Sequence, residues 1–255
     1  MILKKIVRNT FPRTYRLLYR FRRNPKDINA LLSFLFKPDS VIKFKDRLTI
    51  VMGVCKVSSI VPCAHTEEEI LRVIKGIFYS SKDNDGCIVE AGCFKGGSTA
   101  KLSIAAGIVN RPLIVFDSFR GIPENDELNP DGSYHHAPGL WQGSLEEVTT
   151  NVTKYGRMES CQFVEGLFED TMPQFSSPIV TAFIDVDLAS STRTCLKHLY
   201  PLIVKNGALL SQDGHLRQVI EVFEDEKFWL TEVGSQKPFI DRIRHNKLVR
   251  IKKEV

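Results

Sequence analysis

Three groups of residues combine types and spacings that could do chemistry. The first is Glu90-Ala91-Gly92-Cys93-Phe94-Lys95-Gly96-Gly97, where a short β-branched run gives way to a helical pattern. Glycines at such a turn allow close approach of a ligand to the backbone, and the helix N-terminus beyond them offers unbonded N–H groups to a carboxylate or phosphate. The spacing departs from the dinucleotide fingerprint, because Phe94 stands where a second glycine would let pyrophosphate lie against the chain. The second group is Asp117, twenty residues past Gly97 and at the end of the next predicted strand. That is the spacing of a carboxylate that accepts hydrogen bonds from ribose hydroxyls. The third is acidic: Asp185 and Asp187 close one predicted strand, and Asp213 with His215 closes the next. The carboxyl ends of adjacent parallel strands line a ligand crevice, and hard oxygen ligands gathered there suit Mg2+ rather than zinc. Plainer readings stand beside these: a tight turn for the glycines, and helix caps for Asp117, Asp187 and Asp213.

The elements that must position these residues follow from hydrophobic periodicity. From about residue 86, short apolar runs alternate with helical patterns, the mark of an α/β fold with a parallel sheet covered by helices. Strands are expected at Cys87–Ala91, Leu113–Asp117, Cys161–Glu165, Val180–Asp185 and Ala208–Ser211, with helices at Ser98–Ala106, Ser144–Tyr155, Ser190–Tyr200 and Leu216–Glu224. Two late runs, Phe228–Val233 and Lys247–Lys252, alternate well enough to be strands. Residues 27–85 read as a mostly helical lead-in. Its clearest helix runs from Thr66 to Tyr79, opened by a Thr66/Glu69 capping box. The stretch from Arg120 to Gln142, which holds Asp131-Gly132, Tyr134, His135, His136 and Trp141, is too long for an ordinary connection and reads as a substrate-covering lid.

A chain of 255 residues with 43% apolar content accommodates one sizeable core, taken here as residues 86–255. The six cysteines form no Cys-x-x-Cys pair and no regular ladder, which argues against a zinc site or a secreted disulfide framework and for reduced thiols in a cytoplasmic enzyme. The net charge of +5 is uneven, since residues 1–26 carry nine lysines and arginines and no acid, leaving 26 basic against 30 acidic residues elsewhere. The basic character therefore belongs to an N-terminal arm, not to a nucleic-acid-binding face. The arm lacks the uninterrupted apolar stretch of a secretory signal, and the chain lacks the apolar run of a transmembrane span. Ile2, Ile6, Phe11, Tyr15, Leu18 and Tyr19 recur near helical spacing within it. Such an amphipathic segment packs on its own domain, on a second subunit of a homo-oligomer, or peripherally on an anionic membrane at its inner face.

Taken in order, several segments resemble the macrocin O-methyltransferase (TylF-type) family of class I S-adenosylmethionine-dependent enzymes. They are the glycine turn, Phe116-Asp117-Ser118-Phe119-Arg120-Gly121-Ile122-Pro123, Gly143 to Val148, Gly166 to Pro173, Asp185-Val186-Asp187-Leu188 with Ser191-Thr192, Leu199-Tyr200-Pro201 and Gly207. The resemblance implies a Rossmann-like, seven-stranded, mostly parallel sheet, closed by an antiparallel hairpin made from the two late runs. Carried over, cofactor contacts come from Glu90, Gly92, Gly96, Ser98, Asp117, Ser118, Phe168 and Asp185, with Glu90 and Gly92 near the methionine end and Asp117 on the ribose. The implied Mg2+ ligands are Asp185, Asp187 and Asp213, the implied reaction is O-methylation of a small-molecule or glycan hydroxyl, and the candidate proton acceptors are Asp187, His215 and His136. Two departures bear on the metal: the family's middle glycine is Val186 here, and its paired aspartates appear as Gln212-Asp213. Two rival readings are a nicotinamide-dependent oxidoreductase and a catalytically silent, membrane-attached scaffold.

Overall fold

The computed structural model describes residues 21–22, 24–128, 133 and 135–254. Most of the basic arm, and Asn129–Gly132 and Tyr134 of the lid, lie outside the described residues. Three helices lead in: α1 (Pro25–Phe36), α2 (Phe44–Ser58) and α3 (Glu67–Ser81). Then come β1 (Cys87–Ala91), α4 (Gly97–Val109), β2 (Leu113–Asp117), α5 (Leu145–Tyr155), β3 (Cys161–Glu165), α6 (Phe168–Thr171), β4 (Ile179–Ile184), α7 (Ala189–Leu199), β5 (Ile203–Ser211), α8 (Arg217–Glu224), α9 (Glu226–Phe228), β6 (Ile240–Asp241) and β7 (Val249–Lys252). The capping box at α3 is formed: the Thr66 hydroxyl accepts from Glu69 N at 3.2 Å, and the Glu69 carboxylate accepts from Thr66 N at 2.7 Å.

The seven strands form one sheet in the order β3-β2-β1-β4-β5-β7-β6. The first five are mutually parallel, while β7 runs antiparallel to both β5 and β6. Strand side chains divide by alternation between two cores. Ile88, Val115, Phe183 and Leu210 face one layer with α1–α5, whereas Val89, Phe116, Ala182 and Leu209 face the other with α7, α8 and Trp229. Because β1 is flanked by β2 on one side and β4 on the other, the chain reverses direction there, and the crevice opens beyond the carboxyl ends of β1 and β4.

The expected strand at Phe228–Val233 is helical instead: α9 runs directly into a wide turn over Trp229–Val233, and the hairpin partner of β7 is Ile240–Asp241. The reason is local. The Asp225 carboxylate accepts from Phe228 N at 3.0 Å and starts a helix, and the Trp229 indole N–H then donates to Phe223 O at 2.9 Å, burying the ring. The apolar residues that read as alternation are helical neighbours.

Candidate active site

The glycine turn lies at the reversal point, held by the strands on either side. Gly92 N donates to Phe116 O at 3.0 Å, and Asp185 N donates to Ala91 O at 2.9 Å. Gly92 has φ 82°, and a Cβ there would lie 2.0 Å from the Asp185 carbonyl oxygen, so only glycine lets the two strand ends meet. Phe94 also adopts a left-handed backbone, φ 49°, which a bulky residue rarely holds without support. Its ring packs edge-on against Trp141 with centroids 5.5 Å apart, so the residue that replaces a glycine carries the end of the lid segment.

Beneath the turn, Glu90 is fully buried and neither carboxylate oxygen has a hydrogen-bond partner. Burial pushes its pKa up to about 7, with the Asp117 charge adding to it and the nearby Ser98 and Thr99 hydroxyls tempering it. Asp117 is not a helix cap. One of its oxygens accepts from Cys93 N and the other from Phe119 N, both at 2.7 Å, which fixes the carboxylate at the lip of the glycine turn.

The acids after β4 and β5 converge. Asp185, Asp187 and Asp213 each present a carboxylate oxygen within 4.8 Å of the others. Asp213 is fully buried; one oxygen accepts from Val186 N at 2.9 Å and Asp187 N at 3.1 Å, and the other has no hydrogen-bond partner. These bonds hold the loop in which Asp187 adopts φ 60°. Burial, with the charge of Asp187, pushes Asp213 up to about 6. Asp185 is raised well above the usual carboxylate range by burial and by both other acids, and Asp187 is raised by burial. The hardness of this donor set, its crowding and the buried unpartnered oxygen fit a divalent cation, which relieves all three. The cap readings of Asp187 and Asp213 do not hold: the N-cap residues of α7 and α8 are Leu188 and Leu216, which offer no side-chain cap. Gln212 turns away and donates to Glu69 at 2.9 Å, so β5 supplies one acid to the cluster.

The N-terminus of α7 is satisfied from the 120–142 segment. The Glu127 carboxylate accepts from Ala189 N and Ser190 N, both at 2.9 Å, and from the Ser190 hydroxyl at 2.8 Å. The ends of that segment are joined by Ile122 N to Leu140 O at 2.9 Å and Gly139 N to Ile122 O at 2.8 Å. His136 Nε2 lies 3.8 Å from Asp187 Oδ1, and burial, with His135 beside it, holds the His136 pKa below its ordinary value.

A cavity of about 270 Å3 joins these parts, and Gly92, Ser98, Asp117, Ser118, Phe168, Asp185 and Asp187 all line it. Glu90, fully buried, and Gly96, packed against Val148, are not among its lining residues. Asp213 backs the acid cluster, while His215 is exposed and outside the lining. Trp141, expected to lie in the segment covering the substrate, is one wall residue, whereas the sequence offered no sign of several others, among them Pro62–His65 and Lys247. His65 rests on a buried ion pair: Lys101 Nζ lies 3.0 Å from both His65 Nε2 and Glu67 Oε2, and the Lys101 and Glu67 side chains are fully buried.

The O-methyltransferase NovP overlays with a TM-score of 0.64 over 91% of this chain and 99% of its own, at 18% identity. CalS11, a calicheamicin methyltransferase, gives 0.55 over 90% and 92% at 16% identity. TomG from Streptomyces achromogenes, an O-methyltransferase solved with S-adenosylmethionine, gives 0.51 over 92% and 98% at 12% identity. These likenesses establish the fold. No curated protein matches the chain in sequence. The strand order itself disfavours the nicotinamide reading, because an antiparallel β7 lies between β5 and β6 where the dinucleotide fold continues in parallel. The family model for macrocin O-methyltransferase matches residues 70–232, from α3 through the glycine turn and all three acids, and the chain belongs to that family of S-adenosylmethionine-dependent methyltransferases.

Proposed function

We propose that the enzyme methylates a hydroxyl of a sugar, or of another hydroxyl-bearing metabolite or glycan, with Mg2+ held by Asp185, Asp187 and Asp213. The observation that carries this reading is a single cavity bordered by both the glycine turn and the acid cluster. CalS11 is described as a TDP-rhamnose 3'-O-methyltransferase, which supports a sugar hydroxyl as acceptor.

S-adenosylmethionine supplies an electrophilic methyl on a sulfonium sulfur, and a divalent cation supplies Lewis acidity that lowers the hydroxyl pKa. The chain's own residues do the rest. With the cofactor bound, the unpartnered Glu90 oxygens would receive the methionine ammonium, the α4 N-terminus would meet the carboxylate, and Asp117 would receive the ribose hydroxyls. In methyl transfer Asp187 would take up the hydroxyl proton, with His136, whose pKa burial holds below its ordinary value, 3.8 Å behind it. Ile122, Pro123 and Trp141 wall the cavity and would limit the access of water to the transferring methyl.

Asp213→Asn tests the acid cluster while keeping one acceptor for the Val186 and Asp187 amides. S-adenosylhomocysteine affinity by calorimetry should stay within about threefold, while Mn2+ affinity falls at least about tenfold and methyl transfer to hydroxyl acceptors is lost. Unchanged Mn2+ affinity or unchanged turnover removes the metal assignment.

A further inference from the structure

The outer helices α1 and α2 form a hairpin whose water-facing side is apolar. On α1 the exposed residues are Ile28, Leu32 and Phe36, and on α2 they are Phe44, Leu48 and Met52, with Leu32, Phe36, Phe44 and Met52 between 51% and 64% exposed. Each set recurs every four residues, a stripe along one helical face. In an antiparallel pair joined by a short turn, positions equally far from the turn fall level, which places Phe36 with Phe44, Leu32 with Leu48 and Ile28 with Met52. A surface helix packed on a core ordinarily turns its polar side to water. Here the inward side is already filled by Leu31, Phe34, Ile50, Val54 and Val57, so the outer stripes are additional.

The charge around these stripes has one sign. Arg22, Lys26, Lys37, Lys43, Lys45 and Lys56 are exposed, and among the described residues none of them forms an ion pair. The acids of the same segment are withdrawn: Asp27 is buried, Asp39 is half-buried and accepts from Val41 N and Ile42 N, and Asp46 is half-buried. The sequence leading into α1 adds to the excess, with seven lysines and arginines besides Arg22 and no acid over residues 1–24.

We infer that the α1–α2 hairpin is a docking surface for an anionic lipid bilayer, with Ile28, Leu32, Phe36, Phe44, Leu48 and Met52 entering the headgroup–acyl boundary and the basic residues meeting the lipid charge. Apolar area rimmed by lysine is what interfacial helices present to acidic lipids. No described helix is long and apolar enough to cross a membrane, so the hairpin lies in the plane of the interface. A second copy of the chain is the poorer occupant. A two-fold contact through this face would bring like-charged residues together with no exposed acid to answer them. The inference is independent of which hydroxyl the enzyme methylates.

The test is flotation of the full-length chain with vesicles of equal parts phosphatidylcholine and phosphatidylglycerol, against phosphatidylcholine alone. A fourfold variant, Leu32→Ser, Phe36→Ser, Phe44→Ser and Met52→Ser, alters exposed positions only, and an unchanged melting temperature and S-adenosylhomocysteine affinity verify its fold. The wild type should float with the anionic vesicles, lose binding as salt is added, and leave neutral vesicles unbound, while the variant partitions at least about tenfold more weakly. Failure of the wild type to float overturns the inference, as does equal flotation of the variant, which would assign binding to the arm alone. Equal binding to neutral vesicles removes the role of charge. A wild-type dimer that the variant splits into monomers, without vesicle binding, identifies the face as a subunit contact instead.

Discussion

Glu90 provides the most direct test of how this cavity meets its cofactor. Its carboxyl is fully buried, and burial moves its pKa from an ordinary 4.5 to about 7. The sign follows from proton counting: between those values the folded protein holds a proton that the unfolded chain has released, so stability falls as pH rises. The stabilisation is fully present below the unfolded value, is lost as pH climbs through about 7, and amounts to about 3 kcal/mol at 1.36 kcal/mol per pH unit. Binding has the opposite dependence. If the ionised carboxylate receives the methionine ammonium, S-adenosylhomocysteine affinity weakens up to about tenfold per pH unit below 7, levels off above it, and releases close to one proton per ligand at pH ~6. Calorimetry in two buffers of different ionisation heat reads the proton directly. Glu90→Gln should flatten the affinity profile and remove the proton release. It should also remove part of the stability lost on raising pH, the remainder belonging to Asp185 and Asp213, whose pKa values are raised too. No proton release by the wild type, or the same pH profile in Glu90→Gln, would refute the assignment of the ammonium to this carboxylate.

Three further outcomes follow from individual contacts. Lys101→Met leaves the fully buried Glu67 carboxylate facing a thioether and should destabilise the fold by about 3–5 kcal/mol, with Lys101→Met/Glu67→Leu recovering a large part of it in urea unfolding; a loss under about 1 kcal/mol would contradict the buried pair. Glu127→Ala removes the cap of α7 and should cost about 1–2 kcal/mol. Hydrogen exchange should also quicken at Ala189 and Ser190, and protection equal to wild type would mean the cap is dispensable. Gly92→Ala drives a Cβ against the Asp185 carbonyl at φ 82°, for a strain of about 1–3 kcal/mol, and should weaken both S-adenosylhomocysteine and Mn2+ binding, because one displacement moves the turn and the acid loop together. Loss of one without the other would separate the two halves of the site.

The parallel core was legible because its signals are local. Cys87–Ala91, Leu113–Asp117 and Cys161–Glu165 are short apolar runs bounded by turns, and the structure places strands at those residues. Thr66 and Glu69 lie three residues apart and declare their helix without outside help. Phe228–Val233 misled because Trp229 and Val233, which share one phase of a two-residue repeat, also lie four residues apart and fill one side of a helical turn. The competing signal was the Asp225 cap just upstream. No local pattern exists for Glu127, whose partners lie about sixty residues downstream, or for Lys247, which reaches the cavity from the turn before β7.

The acid cluster shows most sharply where reading along the chain runs out. Strand ends in a parallel sheet must come together, so the acids after β4 and β5 could be placed near one another from sequence, and Gln212 stood out only as a substitution in an expected pair of aspartates. Its role is settled from another direction: the fully buried Gln212 amide donates to Glu69, which already receives Thr66 N at the start of α3. An aspartate at 212 would set carboxylate against carboxylate in a partly buried site, at a cost that protonation or a bound cation would offset. Gln212 and Glu69 therefore belong together. Gln212 holds α3 to the end of β5, and Asp213, with its free buried oxygen, is left as the group from that strand that faces Asp185 and Asp187.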